Sequence, residues 1–223
     1  MARHVREFDP ERFRAAGVAP GWADAEGAVL AHAALGVYLV RVAAMDGERP
    51  LYDTVLRAER GGGVFVPVDG AGRVGLLRIW RPQARDREGY LASFPRIDLA
   101  KLGRISYEVP RGYGERGEPD ERTAAREAEE ETGGRVVDSH PLGAVCDNTA
   151  FCPHVCAVMW GRVEVAAGAR AADPGEGIAE GLSFFTRPEL AALQREGKLY
   201  DGFTLSALAM LWLRHPELLE VGR

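Results

Sequence analysis

Gly112-Tyr-Gly-Glu-Arg-Gly-Glu118-Pro-Asp-Glu-Arg-Thr-Ala-Ala-Arg126-Glu127-Ala-Glu-Glu130-Glu131-Thr-Gly133 is the stretch on which the reading of this chain turns. Pro119 is tolerated in a first helical turn, Asp120 to Thr132 is rich in good helix formers, and Gly133-Gly134 stops the run. The spacing therefore predicts one acidic helix bracketed by loops. Glu127, Glu130 and Glu131 stand three and four positions apart, which puts them on one helical face. Carboxylates so grouped repel one another and call for a compensating cation. Mg2+ selects hard oxygen ligands of this kind, usually together with waters and substrate phosphates. Arg126 can pair bidentately with a carboxylate such as Glu118, fixing the approaching loop against the helix. Gly112 permits close backbone approach, so the Arg111 carbonyl could add a ligand. The bland alternative is a solvated acidic face laced by i,i+4 ion pairs.

Working outward, the opening segment to about Gly36 mixes Pro, Gly, Ala and charge and reads as an irregular arm with short helical pieces. Alternating segments follow at Val37 to Val42, Tyr52 to Arg57, Gly63 to Val68 and Arg73 to Trp80, the last two joined through Asp69-Gly-Ala-Gly-Arg73 as a hairpin. Gln83 to Leu102 fits neither regular period and is expected to be a long surface loop that reads substrate. Arg104 to Val109 resumes the extended pattern. Beyond the acidic helix, strands are expected at Leu142 to Cys146 and Val155 to Val165, then a loop over Ala166 to Gly181. Thr186-Arg-Pro-Glu189 makes a capping box for a short helix. Apolar residues from Phe203 to Trp212 form a helical stripe that Pro216 terminates. The expected fold class is α/β of the α+β type, a mixed β-sheet sandwiched between helices with an N-terminal antiparallel strand extension. Residues 1–60 are expected to be an arm with dimerising strands, and 61–223 the catalytic domain.

The chain has 223 residues, 46% hydrophobic and 27% charged, enough for one sizeable core and a small appended subdomain. A net charge of -5 argues against nucleic acid as a partner, because a phosphate-backbone binder needs a concentrated basic surface. Ala28 to Val40 falls well short of a membrane span. The charged N-terminus, Met1-Ala-Arg-His-Val-Arg-Glu-Phe-Asp, does not resemble an export signal, and a cytoplasmic location is expected. Cys146, Cys152 and Cys156 are an odd, clustered set, read as free thiols on buried strands. Cys152, His154 and Cys156 suggest zinc, but no second ligand pair with suitable spacing exists elsewhere in the sequence.

The spacing at Gly112, Glu118, Arg126, Glu127, Glu130, Glu131 and Gly133 is the Nudix pattern G-x5-E-x7-R-E-U-x-E-E-x-G-U, where U is a bulky apolar residue. The chain thus resembles the Nudix hydrolases over approximately Tyr52 to Trp212. It is most similar to the ADP-ribose pyrophosphatase group, through Glu108-Val-Pro-Arg-Gly112, Ile79-Trp-Arg-Pro82 and Asp201-Gly-Phe-Thr-Leu-Ser-Ala-Leu208. Ala128 and Gly134 depart from the pattern at two U positions, which bear on how tightly the helix meets its sheet.

The resemblance implies Mg2+-dependent hydrolysis of the diphosphate of a nucleoside diphosphate linked to another moiety, with Mn2+ as the alternative ion. ADP-ribose, giving AMP and ribose 5-phosphate, is the leading substrate. It implies Glu127 and Glu131 as principal metal ligands, Glu130 supporting a further ion, and the Arg111 carbonyl completing the set. Arg126 and Glu130 are also expected among the catalytic residues. The catalytic base is expected to be Glu176, with Glu180 as the competitor; both also read as ordinary loop acids. Arg81 is either a phosphate contact or a strand-end charge. Trp80, Tyr107 and Tyr113 are either base-stacking or core residues. The group is commonly homodimeric, here through Val37 to Leu56. Rival readings are a pyrophosphatase for a nucleotide sugar, dinucleotide or coenzyme A derivative, and a non-catalytic nucleotide sensor.

Overall fold

Residues 3–7, 9–17, 28–32, 37–80, 105–152, 154–166, 169 and 178–219 are described by a computed structural model. The expected loop over 83–102, Arg81 and Glu176 lie outside them. The chain divides into two units, Met1–Gly61 with Cys146–Val155, and Gly62–Val145 with Cys156–Arg223. No helix among the described residues is long and apolar enough to cross a membrane.

In the first unit, β1 (Arg3–Glu7), α1 (Pro10–Ala15) and β2 (Ala28–His32) precede the long strands β3 (Val37–Asp46) and β4 (Arg49–Ala58). Every pairing is antiparallel. β4 runs along one edge of β3, and the other edge is shared end to end by β2, opposite Val37 to Val40, and β1, opposite Val42 to Asp46. The opening segment thus holds a short helical piece, as expected, and in addition two strands that its composition did not announce. β1 and β2 are each five residues long, and their partner is a distant strand edge that local periodicity does not reveal.

Arg41 and Asp53 form a buried pair across β3 and β4, with Nη2 2.7 Å and Nε 2.9 Å from Oδ2 and side chains 2% and 5% exposed. Removing either partner would strand a buried charge at a cost of about 3–5 kcal/mol. The excursion Cys146–Val155 joins this unit through Arg57. Its Nη2 meets Glu59 at 2.9 Å and Asp147 at 3.0 Å, and its N–H donates to the Phe151 carbonyl at 2.7 Å. His154 Nε2 lies 3.1 Å from the same Glu59 carboxylate. All three cysteines are free. Cys156 opens a strand, but Cys152 is buried in a loop rather than on the expected strand. Burial, and then the hydrogen bond to Asp147, push the Cys152 thiol up to about 12.

The second unit is built on β5 (Gly62–Pro67), all of whose residues are buried. The elements that follow are β6 (Val74–Trp80), β7 (Ile105–Glu108), β8 (Arg111–Tyr113), α2 (Asp120–Thr132), β9 (Arg135–Val136), β10 (His140–Val145), β11 (Cys156–Gly161), β12 (Val163–Glu164) and β13 (Ile178–Phe185). Two helices close the chain, α3 (Arg187–Arg195) and α4 (Gly202–Arg214), before a 3-10 turn at Pro216–Leu219. One sheet runs β10-β11-β5-β8, parallel between β11 and β5 and antiparallel elsewhere; a second runs β13-β6-β7. The sheets are mixed, as expected. β8 and β9 are too short to register in the sequence pattern, and a break at Arg162 divides the expected strand Val155 to Val165 into β11 and β12.

Period-two alternation distributes β5 and β11 between two cores. Val64, Val66 and Val158 join Leu142, Ala207, Leu208 and Leu211 on the α4 side. Phe65 and Met159 join Ala124, Ala128 and Val163 on the α2 side. Phe65 is fully buried, and burial of such a side chain contributes about 1.5–3 kcal/mol. Ala128 is also fully buried against it, so the small residue at the first U position gives close contact rather than a loose helix. Gly134 has a similar reason. A Cβ there would lie 2.7 Å from the Glu164 carbonyl oxygen and 2.9 Å from both the Val163 and Val165 side chains.

Two expectations follow. Gly134→Val, which restores the apolar residue of the pattern, should destabilise the protein by about 1–3 kcal/mol through overpacking, as measured by denaturant titration. Iodoacetamide at pH 8 should label Cys152 only after unfolding, as read by peptide mass spectrometry, since its buried thiol stays protonated.

Candidate active site

The site is assembled where α2 meets β8. Asp120 and Glu121 in the first turn favour the positive end of the helix dipole, and Gly133 ends the helix in the left-handed conformation at φ 64°. Along α2, Thr123, Ala124, Glu127, Ala128, Glu131 and Thr132 are buried. Two glutamates on the inward face cannot be explained by apolar packing; each rests instead on a neighbouring backbone position of β8. The Arg111 N–H donates to Glu131 Oε2 at 3.0 Å. The Glu127 carboxylate lies against the Cα of Gly112, where a Cβ would fall 2.1 Å from its Cδ and 2.2 Å from Oε2. Only glycine leaves room for that carboxylate.

Glu130 takes a different direction. It is 46% exposed and is held at 2.8 Å by Arg126 Nη1, one turn back. Glu130 is thus the exposed member of the trio, and among the described residues no three His, Cys, Asp or Glu side chains form a metal-binding group. Arg126 binds more than Glu130. Its Nη1 also reaches Glu127 at 2.9 Å, its Nε and Nη2 meet Glu118 at 3.1 Å, and Nη2 donates to the Tyr113 carbonyl at 3.0 Å. One guanidinium thus ties the approaching loop to both Glu127 and Glu130, the Glu118 part of which the sequence anticipated.

The hydrogen bonds from Arg126, with further ones from the Glu115 N–H and the Thr123 hydroxyl, hold the Glu118 carboxyl down to about 2 against the opposing effect of burial. The same pairing raises Arg126 above its already high value.

Of the other predicted residues, Tyr113 is 38% exposed at the end of β8, and Trp80 is half-buried at the end of β6. Tyr107 belongs to the core, edge-on to Phe185 with centroids 5.5 Å apart. Glu180 sits on β13 rather than on a loop, paired with Arg78 at 2.5 Å.

Sequence reading missed the role of the Arg111 side chain. Its Nη2 lies 3.1 Å from both Glu108 Oε2 and Asp201 Oδ1, and its Cζ is 4.9 Å from the centre of the Phe203 ring. Asp201 caps α4 by accepting from the Thr204 N–H at 2.9 Å. Asp followed three residues later by Thr was a legible cap signal; its ion pair across ninety positions was not.

No family model matches the sequence, and no curated protein matches it. Among solved structures, the fold is similar to an ADP compounds hydrolase, with TM-score 0.56 at 14% identity over 85% of this chain and 91% of that one. A Nudix hydrolase from Nitrosomonas europaea is matched at TM-score 0.48 and 17% identity, over 68% of this chain and 86% of that one. At such identity the likeness speaks for fold. The chain shares with the ADP compounds hydrolase a mixed α+β fold, in which the acidic helix α2 packs against mixed sheets.

The lowered Glu118 pKa carries a sign. Its contribution to stability is full above the ordinary carboxyl value of 4.5 and is lost as pH falls toward 2. Glu118→Gln should therefore lower stability at neutral pH and flatten its dependence between pH 2 and 4.5, in urea titrations across that range. An equal loss at every pH would contradict the assignment.

Proposed function

We propose that this chain is a divalent-metal-dependent pyrophosphohydrolase acting on a nucleoside diphosphate linked to another moiety, with ADP-ribose as the leading substrate. The observation that carries this reading is the pair of buried carboxylates, Glu127 and Glu131, seated on the Arg111–Gly112 backbone. Two carboxylates withdrawn from water stay charged only with compensation, and each is met here by a donor, Glu127 by Arg126 and Glu131 by the Arg111 N–H. Mg2+ fits such a seat, because it uses one or two carboxylates and keeps its remaining positions for waters and phosphates. Mn2+ is the alternative ion. The resemblance to the ADP compounds hydrolase adds support for an adenine-containing diphosphate.

In this reading Glu127 and Glu131 hold the metal, with the Arg111 carbonyl as a further ligand and Glu130 supporting a second ion. When bound, such ions neutralise phosphate charge and make a water more acidic. Arg126 keeps Glu127 and Glu130 in place and anchors the loop through Glu118. Arg81, Trp80 and Tyr113 contact the substrate. Glu176, or in its place Glu180, removes a proton from the attacking water. The oxygen of that water bonds to one phosphorus, and the bridging P–O bond breaks with its electron pair leaving on the departing phosphate. ADP-ribose and water thus give AMP and ribose 5-phosphate. The chain acts as a cytoplasmic homodimer through β3 and β4, which a solution mass would test.

Glu131→Gln keeps an acceptor for the Arg111 N–H but removes the charge. It should reduce turnover of ADP-ribose with Mg2+ by about 100-fold or more, the equivalent of several kcal/mol of lost charge stabilisation. Wild-type turnover in that variant would refute the ligand assignment. A panel of nucleotide sugars, dinucleotides and coenzyme A derivatives assayed beside ADP-ribose decides the substrate, and binding without cleavage of any of them would favour a sensor.

A further inference from the structure

Arg111 is joined to the proposed metal seat twice over, once by its backbone and once by its side chain. Its N–H holds Glu131, and the next residue carries Glu127 against its Cα. At the other end of the same residue, the guanidinium bridges Glu108, which is 2% exposed, and Asp201, which is 13% exposed, while lying over Phe203. The ring of contacts closes through α4. Asp201 Oδ2 accepts from the Thr204 hydroxyl at 2.8 Å, and the Thr204 hydroxyl oxygen accepts from the Val109 N–H at 3.2 Å. The Pro110 carbonyl accepts from the Phe65 N–H at 2.9 Å. Residues 108 to 111 are thereby fixed to the cap of α4 and to β5.

We propose that the Arg111 side chain is a positioning residue that sets the geometry, and hence the affinity, of the divalent-metal seat formed by Glu127 and Glu131. This inference rests on the proposed reading of those two carboxylates as metal ligands. Two carboxylates already take up the guanidinium charge, so Arg111 presents little net positive field to a substrate phosphate and acts through its backbone instead. Groups that orient metal ligands typically change metal affinity or activity by about 10–100-fold when removed. A single nitrogen, Nη2, meets both acids while the guanidinium lies over Phe203; a lysine ammonium keeps a cation for the acids but loses the planar group on the ring.

The test is Mn2+ binding to the full chain, followed by the electron paramagnetic resonance of free Mn2+, with thermal unfolding recorded in parallel. Arg111→Ala should raise the Mn2+ dissociation constant by about 10-fold or more, and Arg111→Lys should recover part of the loss. In turnover, kcat should fall with KM for the diphosphate substrate nearly unchanged. Asp201→Asn keeps a good helix cap and removes one charge from the clamp, so it should shift Mn2+ affinity in the same direction by a smaller factor. It decides the matter if Arg111→Ala does not fold. Variants that unfold at lower temperature but bind Mn2+ as tightly as the wild type would overturn the positioning role alone. Wild-type protein that binds no Mn2+ would overturn both the positioning role and the metal reading.

Discussion

The contact on which the second unit's candidate site depends is the seating of two buried carboxylates on two consecutive backbone positions, Glu131 on the N–H of Arg111 and Glu127 on the Cα of Gly112. Burying a carboxylate in a protein interior is costly unless a donor or cation meets it. Here the donor is a strand amide, which cannot move independently of its sheet. β8 pairs antiparallel with β5, placing Gly112 opposite Gly63 and Arg111 opposite Val64. The position of the acids is therefore fixed by the central strand of the unit, and sheet, helix and site are parts of one arrangement.

Arg126 supplies the second constraint. A single guanidinium meets Glu118, Glu127, Glu130 and the Tyr113 carbonyl, using its fork geometry to hold a loop, a strand end and a helix face together. Such a cation at the edge of the acidic face limits the repulsion among its members. Glu130 nevertheless stands toward solvent, with Glu127 and Glu131 inward. The helix supplies the angular spread for this division, since positions 130 and 131 differ by about 100° around the axis.

Much of this was legible from local sequence. Helix formers between Pro119 and Gly133 marked α2, the capping box at Thr186 and Glu189 marked α3, with its Thr186 N–H to Glu189 contact at 2.7 Å, and the stripe before Pro216 marked α4. The valine- and phenylalanine-rich run at Gly63 to Val68 marked the central strand. Long-range pairing was hidden. β1 and β2 find their partner only across intervening chain, and the Arg111 clamp joins positions 111 and 201. The inward or outward choice among three closely spaced glutamates was equally hidden, because the inward pair rests on the β8 backbone, on the Arg111 N–H and on Gly112, which has no side chain. Gly134 and Ala128 looked like weak points against the motif, yet the close approach of β12 and of Phe65 explains both.

The first unit answers to a different logic. Its sheet carries a buried Arg41–Asp53 pair beside the buried side chains of Val42, Ala43, Met45 and Val55, and Arg57 ties Cys146–Val155 to β4. For the second unit, the most direct measurement is the anomalous difference map of a crystal soaked in Mn2+. The account predicts a peak within ligating distance, about 2.0–2.6 Å, of both Glu127 and Glu131 carboxylates. A peak bound elsewhere, with neither of those two carboxylates ligating it, would contradict it.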